Sequence, residues 1–324
     1  MSFFKSIPFL ALSCAAFLLP AMSINFTGGF YAVAAVVVLM SWASLPALWS
    51  QHKFESSEYL LLVSLVFYPG LVLVDLYVRQ GQWSWPNFQE SSRFLLIIPV
   101  FLMTRKYGFN EGVIKWGVLI GAVAAGSWAY YQKNTLGISR AWGGTSNLIN
   151  AFGDVSLLLG VLSVALFQPQ WSKDKRWWLL VILALVCGVF GSLASGAKGG
   201  WISLPVLAWV LVDLSAKPTI KKRLTVVTML VIIAVMVWYV SPFIQTRTSM
   251  VVPAIITYFQ TGTVFDGSAG IRLALWHGSW LIFIDNPLFG VGIGNFYEHL
   301  MGLIEAGRLD PRTGTIHHPH SQFF

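Results

Sequence analysis

Long uninterrupted apolar runs recur along this chain, and they constrain its fold more than any other feature of the sequence. A helix of about 20 apolar residues is long enough to cross the hydrocarbon core of a bilayer. Charged side chains make up only 10% of the chain, whereas roughly a quarter would be usual for a soluble domain. The sequence therefore predicts an all-α polytopic membrane protein, and it excludes an ordinary soluble enzyme.

Nine apolar segments are candidate transmembrane helices. They cover residues 4–24, 30–49, 58–77, 93–104, 113–131, 149–167, 177–195, 200–214 and 224–243. The fourth and eighth segments are short for a complete crossing. Gly, Pro, Asp and Arg interrupt the apolar character of the residues that follow. We therefore expect a transmembrane domain over residues 1–243 and a large external segment with short helices over residues 244–324.

Lysine and arginine are distributed unevenly between the two sets of loops. The loops on the side of the N-terminus hold 12 of these residues, and the opposite short loops hold five, which are Arg79, Arg93, Lys133, Arg140 and Lys198. Because basic loops stay in the cytoplasm, the N-terminus is expected inside and the segment after residue 243 outside. The net charge of +8 then reports topology. Membrane lipids are the expected surroundings, and nucleic acid is not an expected partner.

Histidine is concentrated in the external segment. Five of the six histidines lie there, namely His277, His299, His317, His318 and His320. Since histidine is the side chain best suited to proton transfer near neutral pH, this clustering indicates a chemical site. A histidine-rich surface loop is the alternative. A zinc site would need three convergent ligands, and no cysteine or acidic cluster near His318 and His320 completes such a set, so no metal is expected.

Three cations on the predicted outer side are candidates for binding an anion. Lys198 lies in the short turn Ser195–Gly200, where it either faces a polar site or extends its ammonium to the interface. Arg272 lies beside an apolar helix and could bind a phosphate through two hydrogen bonds, or it is a solvated arginine at a helix start. Arg140 lies in the loop 139–144, which either contacts sugar or phosphate or caps two helices.

A glycine-rich stretch over residues 287–296 interrupts the external segment. Its glycine spacing is similar to that of a dinucleotide-binding loop, but no strand precedes it and no strand follows, so that interpretation is poor. We expect a tight turn packed near the active face instead. Nothing else in the chain indicates a cofactor, and none is expected.

Taken together, these segments resemble the O-antigen ligase family and its relatives, the O-antigen polymerases and the bacterial protein O-oligosaccharyltransferases. The motifs that carry the resemblance are Arg140-Ala141-Trp142-Gly143-Gly144, Ser195-Gly196-Ala197-Lys198-Gly199-Gly200, Arg272-x-x-Leu275-Trp276, Asn286-Pro287-Leu288-Phe289-Gly290-Val291-Gly292 and His318-Pro319-His320-Ser321. The order and spacing of several short motifs make the resemblance specific. It covers the second half of the chain in motifs and the whole chain in topology.

The resemblance implies a glycosyltransferase of the bacterial inner membrane with its active site facing the periplasm. The donor would be a glycan on undecaprenyl diphosphate, and the acceptor would be the lipid A–core oligosaccharide. His320 and Arg272 would be the catalytic residues, and Lys198, Arg140 and His318 would bind substrate. Lys198 stands where the family has an arginine, so the charge is kept but the two-pronged guanidinium is lost. Family members continue beyond the histidine with further helices, which we expect to be missing from this chain.

The implied reaction inverts the sugar configuration without a metal. The acceptor hydroxyl, deprotonated by His320, would attack the anomeric carbon while Lys198 and Arg272 stabilise the departing diphosphate. A polymerase or a protein O-oligosaccharyltransferase would use the same chemistry. A membrane transporter is the alternative from another class. It is disfavoured because the acidic residues nearest the spans, Asp75, Asp154 and Asp213, lie at or near span ends rather than at the membrane midplane.

Overall fold

A computed structural model describes residues 3–81, 83–145, 148–171, 176–197, 199–213, 219–240, 242–265 and 268–316 of the chain. Within these residues, every regular element is a helix. The prediction of an all-α polytopic membrane protein is therefore confirmed. Of the predicted site residues, Arg140 and Arg272 lie within the described ranges, whereas Lys198, His318 and His320 lie outside them.

Fourteen α-helices follow one another along the described chain. They are α1 Phe3–Met22, α2 Gly29–Gln51, α3 Ser56–Val74, α4 Trp85–Ser92, α5 Ile97–Tyr107, α6 Glu111–Asn134, α7 Ile149–Trp171, α8 Arg176–Ser195, α9 Gly199–Asp213, α10 Ile220–Val240, α11 Pro242–Ser249, α12 Val251–Thr261, α13 Ser268–Asp285 and α14 Phe296–Glu305. A π-helical turn, Asp75–Arg79, extends α3, and 3-10 turns cover Arg93–Leu96 and Pro311–Thr315.

A helix occupies each of the nine predicted spans, from α1–α3 through α5–α10. Among the described residues, five helices are long and apolar enough to cross a membrane, namely Phe30–Gln51, Ser56–Val78, Glu111–Asn134, Ile149–Phe167 and Trp177–Ser195. Ile7–Met22 and Val251–Thr261 are apolar but shorter. Because a bilayer requires every backbone polar group to be bonded within the chain, helices of this length are the expected way to cross it.

The chain forms two compact units. Unit 1 comprises Met1–Lys53 and Ile97–Val235, and unit 2 comprises Phe54–Leu96 and Met236–Phe324. The predicted boundary after residue 243 concerns the position of the chain relative to the membrane, and it stays a prediction.

Small residues allow the helices of unit 1 to approach closely. A Cβ added at Gly126 of α6 would stand 2.5 Å from the Cβ of Cys187 in α8, and one at Gly188 would stand 2.8 Å from the Cα of Gly160 in α7. Ala122 and Ala125, which also lie on α6, are fully buried. Close backbone approach through glycine and alanine is the packing that membrane helices favour, because lipid supplies no hydrophobic drive for association.

Unit 2 builds a small apolar core from helices α12–α14 and the 3-10 turn that follows them. Leu275 of α13 and Leu300 of α14 are fully buried and belong to the same apolar cluster. Asp310 connects this core to the α12–α13 loop, because its Oδ2 accepts a hydrogen bond of 2.8 Å from the amide of Val264. Packing between α12, α13 and α14 therefore gives this part of unit 2 an apolar core of its own.

Candidate functional site

The turn Ser195–Gly200 of unit 1 is fixed by hydrogen bonds on both sides of position 198. Gly196 takes a left-handed conformation, with φ of 67°, and thereby ends α8. The hydroxyl of Ser195 donates to the carbonyl of Ser192 over 2.7 Å and accepts from the amide of Ala197 over 3.1 Å. Both serines are buried. The described neighbours of Lys198 thus form an ordered helix–turn–helix connection.

Arg140 lies beside this turn. Its Nε donates to the carbonyl oxygen of Ser195 over 2.8 Å, and its Nη2 approaches Oδ1 of Asn150 at 3.4 Å. The amide of Ala141 donates to the carbonyl of Ala194 over 3.1 Å. Two motifs that are more than fifty residues apart in sequence therefore meet in unit 1. The role of Arg140 in binding substrate stays a prediction.

The rest of the Arg140 motif has a structural role. Buried Gln132 at the end of α6 donates from Nε2 to the carbonyl of Gly143 over 2.9 Å, and its Oε1 accepts from the amides of Trp142 and Gly143, each over 2.9 Å. A Cβ at Gly144 would stand 2.5 Å from the carbonyl carbon of Asn25. These contacts match the alternative in which the loop caps helices, and they explain why glycine is required at two successive positions.

Asp154 of α7, which the sequence analysis considered only as an acid near a span end, contacts the turn Ser195–Gly200. Its Oδ1 accepts a hydrogen bond of 2.8 Å from the amide of Gly200, in the first turn of α9. A carboxylate at this position satisfies an amide that has no partner within the helix, and it is favoured by the positive end of the helix dipole. The signal was present in the sequence, because an isolated acid in an apolar helix is costly and needs a partner.

Arg272 lies near the beginning of α13 in unit 2, with its side chain exposed. Among the residues that the structure describes, none forms a hydrogen bond or ion pair with its guanidinium. The surrounding helix start adds a partial positive charge. An exposed guanidinium at a helix N-terminus is chemically suited to a phosphate oxygen pair.

Two of the five clustered histidines have local partners. Nδ1 of His277 and the phenol oxygen of Tyr258 form a hydrogen bond of 2.9 Å between α13 and α12. Burial, together with the charge of Asp310, raises the pKa of Tyr258 above its ordinary value. Nδ1 of His299 donates to the carbonyl of Asn295 over 3.0 Å. His317, His318 and His320 lie outside the described residues.

The glycine-rich stretch forms a turn that is bound to the end of α3. The amide of Ile293 donates to Oδ2 of buried Asp75 over 2.7 Å. Nε2 of Gln80 donates to the same carboxylate oxygen over 2.8 Å and to the carbonyl of Ile293 over 3.0 Å. Gly292 and Gly294 both have φ of 89°. The stretch is therefore a tight turn, as expected, and its binding to a π-helical turn 218 residues earlier was not foreseen.

An acidic cleft lies at the other end of α13. It has a volume of about 290 Å³ and is lined by Ile282, Asp285, Asn286, Glu298, His299, Gly302 and Leu303. The carboxylate of Asp285 faces Nη1 of Arg308 at 3.4 Å. Arg308 offsets the charge of Asp285, but Glu298 and the negative end of the helix dipole still make this end less favourable for a phosphate than the end with Arg272.

No set of three or more histidine, cysteine, aspartate or glutamate side chains within the described ranges comes close enough to hold a metal ion. The cluster His317–His320 is outside those ranges.

Comparison with known proteins supports the O-antigen ligase superfamily. The sequence profile of the O-antigen ligase family matches residues 183–324, a range that includes Lys198, Arg272, His318 and His320 but not Arg140. An uncharacterized protein of Haemophilus influenzae is 23% identical over 274 residues, which are 84% of this chain and 67% of that protein. The family match suggests a membrane glycosyltransferase that acts on lipid-linked glycans.

Proposed function

We propose that this protein is an O-antigen ligase, which transfers a glycan from undecaprenyl diphosphate to the lipid A–core oligosaccharide at the periplasmic face of the inner membrane. The observation that carries the proposal is the family match over residues 183–324. That range contains the catalytic candidates His320 and Arg272 and the substrate-binding candidates Lys198 and His318.

Binding of the donor diphosphate is assigned to Arg272 and Lys198. The exposed guanidinium of Arg272 has no ion-pair partner within the described part of the chain, so a phosphate would not have to displace a carboxylate. Lys198 belongs to a turn whose described residues are held by Ser195 and Asp154. A cation held in place before the reaction stabilises developing charge without reorganisation, which is the requirement for transition-state stabilisation.

The transfer is a single displacement. His320 removes the proton from the acceptor hydroxyl, whose oxygen forms a bond to the anomeric carbon. The bond between that carbon and the diphosphate oxygen breaks on the opposite face, and its electron pair leaves with the diphosphate. The configuration therefore inverts. Arg272 and Lys198 compensate the charge of the leaving group, and His318 orients His320 or takes its place.

The test is complementation of a deletion strain, read from the lipopolysaccharide pattern on a gel. Deletion should remove the O-antigen ladder while the lipid-linked glycan accumulates. The wild-type gene should restore the ladder, and neither His320→Ala nor Arg272→Ala should, although both proteins reach the membrane. Lys198→Arg should keep the ladder, because it restores the guanidinium that the family has at this position.

The matched control for Arg272→Ala is Arg308→Ala. Arg308 is a half-exposed arginine of the same unit, and its charge already faces Asp285. We expect Arg308→Ala to retain ligation. A full ladder in the His320→Ala strain would refute the assignment of the base. A core that carries a single repeat after deletion would identify a polymerase instead and contradict ligation.

A further inference from the structure

Helix α13 carries an aromatic stripe whose side chains lie outside the apolar core formed with α14. The stripe consists of Trp276, Trp280 and Phe283, which are 41%, 51% and 48% exposed. At 100° per residue, these side chains and Arg272 fall within about 80° of one another around the helix. The rings of Trp280 and Phe283 stack at 5.6 Å. Leu275 and Ile282, on an adjacent face of the helix, pack in the apolar core.

The charges at the two ends of α13 give this stripe a direction. Arg272 and the helix N-terminus are positive, whereas Asp285 and Glu298 line the acidic cleft at the C-terminal end. A ligand that combines an anionic head with an apolar chain therefore fits only one way, with the head at Arg272 and the chain over the rings. The distance from Arg272 to Phe283 along the helix is about 16 Å, at 1.5 Å per residue.

From this arrangement we infer that the aromatic stripe of α13 binds the first isoprene units of the polyprenyl chain of the donor, next to the diphosphate held by Arg272. This inference rests on the proposed function and adds a recognition element for the lipid part of the donor. Aromatic side chains are suited to this contact, because each buries a large rigid apolar surface at a small entropic cost. The chain would thereby fix the position of the diphosphate relative to the helix N-terminus.

The experiment measures glycan transfer by the purified full chain with two donors of the same glycan, one carrying undecaprenyl diphosphate and one carrying geranyl diphosphate. The geranyl chain is too short to reach Phe283 from Arg272. With the double variant Trp280→Ala/Phe283→Ala, which removes the two rings farthest from Arg272, KM for the undecaprenyl donor should rise roughly tenfold or more, as expected when buried apolar contact is lost. The kcat should stay unchanged, and KM for the geranyl donor should rise less.

Phe259→Ala provides the matched control. Phe259 is 76% exposed on α12 of the same unit, so it offers a comparable apolar surface away from α13. If aromatic residues only anchor unit 2 in bilayer lipid, Phe259→Ala and the stripe variant should impair transfer alike, with no dependence on the donor chain. That outcome would overturn the inference. Trp280→Phe, which keeps an aromatic ring, should restore most of the affinity for the undecaprenyl donor.

A second measurement does not depend on activity. A polyprenyl diphosphate carrying a photoreactive group on its second isoprene unit should crosslink to residues 276–283 of the wild-type chain, and excess undecaprenyl diphosphate should compete. Labelling confined to other helices would refute the stripe as the binding surface. If Arg272→Ala also leaves transfer intact, the proposed function fails. If Arg272→Ala abolishes transfer and the stripe variant acts on both donors equally, only this inference fails.

Discussion

The two units differ in how their candidate arginines are used. Around the turn of unit 1, the Nε of Arg140 donates to the carbonyl of Ser195 and the carboxylate of Asp154 accepts from the amide of Gly200. In unit 2, Arg272 is exposed without a partner in the described part of the chain, and the aromatic stripe beside it is half-exposed. In both units, carboxylates hold turns, since Asp75 and Asp310 do so in unit 2. The difference lies at the candidate arginines, because Arg140 helps to shape a turn whereas Arg272 and the apolar surface beside it are accessible to a ligand.

Helical glycines of the two units also differ in how closely they are packed. Gly153 of α7 lies directly against Ser195, so its backbone sets the position of the turn. Gly302 of α14 has no atom near the place of a missing Cβ. Gly153 is buried and Gly302 is exposed, so the packing around each helix decides how much room a side chain would have. Glycine-to-alanine substitutions at these two positions should therefore have different effects on stability, because only Gly153 is closely packed.

The largest effect is expected for Gly294→Ala. Its φ of 89° strains any residue with a Cβ, and the new methyl would overlap Nδ2 of Asn87. Together these terms should cost on the order of 3 kcal/mol and detach the turn from α3. The readout is the thermal unfolding temperature of the purified chain together with limited proteolysis between residues 286 and 296.

Gly290→Ala is the control for that turn. Its φ of 62° is also left-handed, but nothing lies within 4 Å of the added Cβ. The cost should be about 1 kcal/mol, from backbone strain alone. Equal destabilisation by the two variants would show that the contact with Asn87 carries no energy.

Gly153→Ala should have the next largest effect. The new methyl would overlap the hydroxyl of Ser195 and stand 2.6 Å from the Cβ of Ala197, and both atoms belong to a buried turn that has little room to move. Overpacking of this kind costs about 1–3 kcal/mol. Because the turn carries Lys198, transfer should fall as well, which a combined measurement of unfolding temperature and activity would show.

Gly302→Ala makes the same change where space is open. Alanine is favoured over glycine within a helix, so the variant should gain about 0.5–1 kcal/mol. A loss of stability would mean that α14 is as closely packed as α7 and would remove the contrast between the units.

Asp75→Ala tests the long-range contact in unit 2. The substitution leaves the amide of Ile293 without its acceptor, whereas Nε2 of Gln80 loses one of two acceptors and keeps the carbonyl of Ile293. A buried donor without a partner costs about 1–3 kcal/mol. Asp75→Asn, whose amide oxygen still accepts, should lose less. Hydrogen exchange at residues 292–295 is the direct measurement, and unchanged protection in Asp75→Ala would contradict the assignment.

The sequence predicted the helices well, because apolar length and loop charge are local properties. It also predicted the tight turn around Gly290–Gly294. It did not predict that Arg140 reaches Ser195 or that Asp75 binds Ile293, because each contact joins segments whose proximity depends on helix packing. The isolated acids Asp75 and Asp154 were the available signal, since an acid at the end of an apolar helix requires a partner.

The smallest effect is expected from pH acting on Asp310. Burial by itself would raise the pKa of this carboxyl, but hydrogen bonds from the Arg312 side chain and from the amides of Val264 and Arg312 lower it below the ordinary value. A carboxyl with a lowered folded pKa stabilises the fold above the unfolded pKa, which is near 4. This contribution is lost as the pH falls through the folded value. Asp310→Asn should therefore cost about 1 kcal/mol at neutral pH and nearly nothing in acid.

The side chain of Asp310 is 6% exposed, so salt should weaken its bond to Val264 less than its pairing with half-exposed Arg312. Arg312→Ala should consequently destabilise less than Asp310→Asn at neutral pH. The measurement is the unfolding temperature of both variants between pH 3 and pH 7. If Asp310→Asn and the wild type kept the same difference across that range, the charge of Asp310 would not hold the α12–α13 loop. In that case unit 2 would depend on apolar packing as much as unit 1 does.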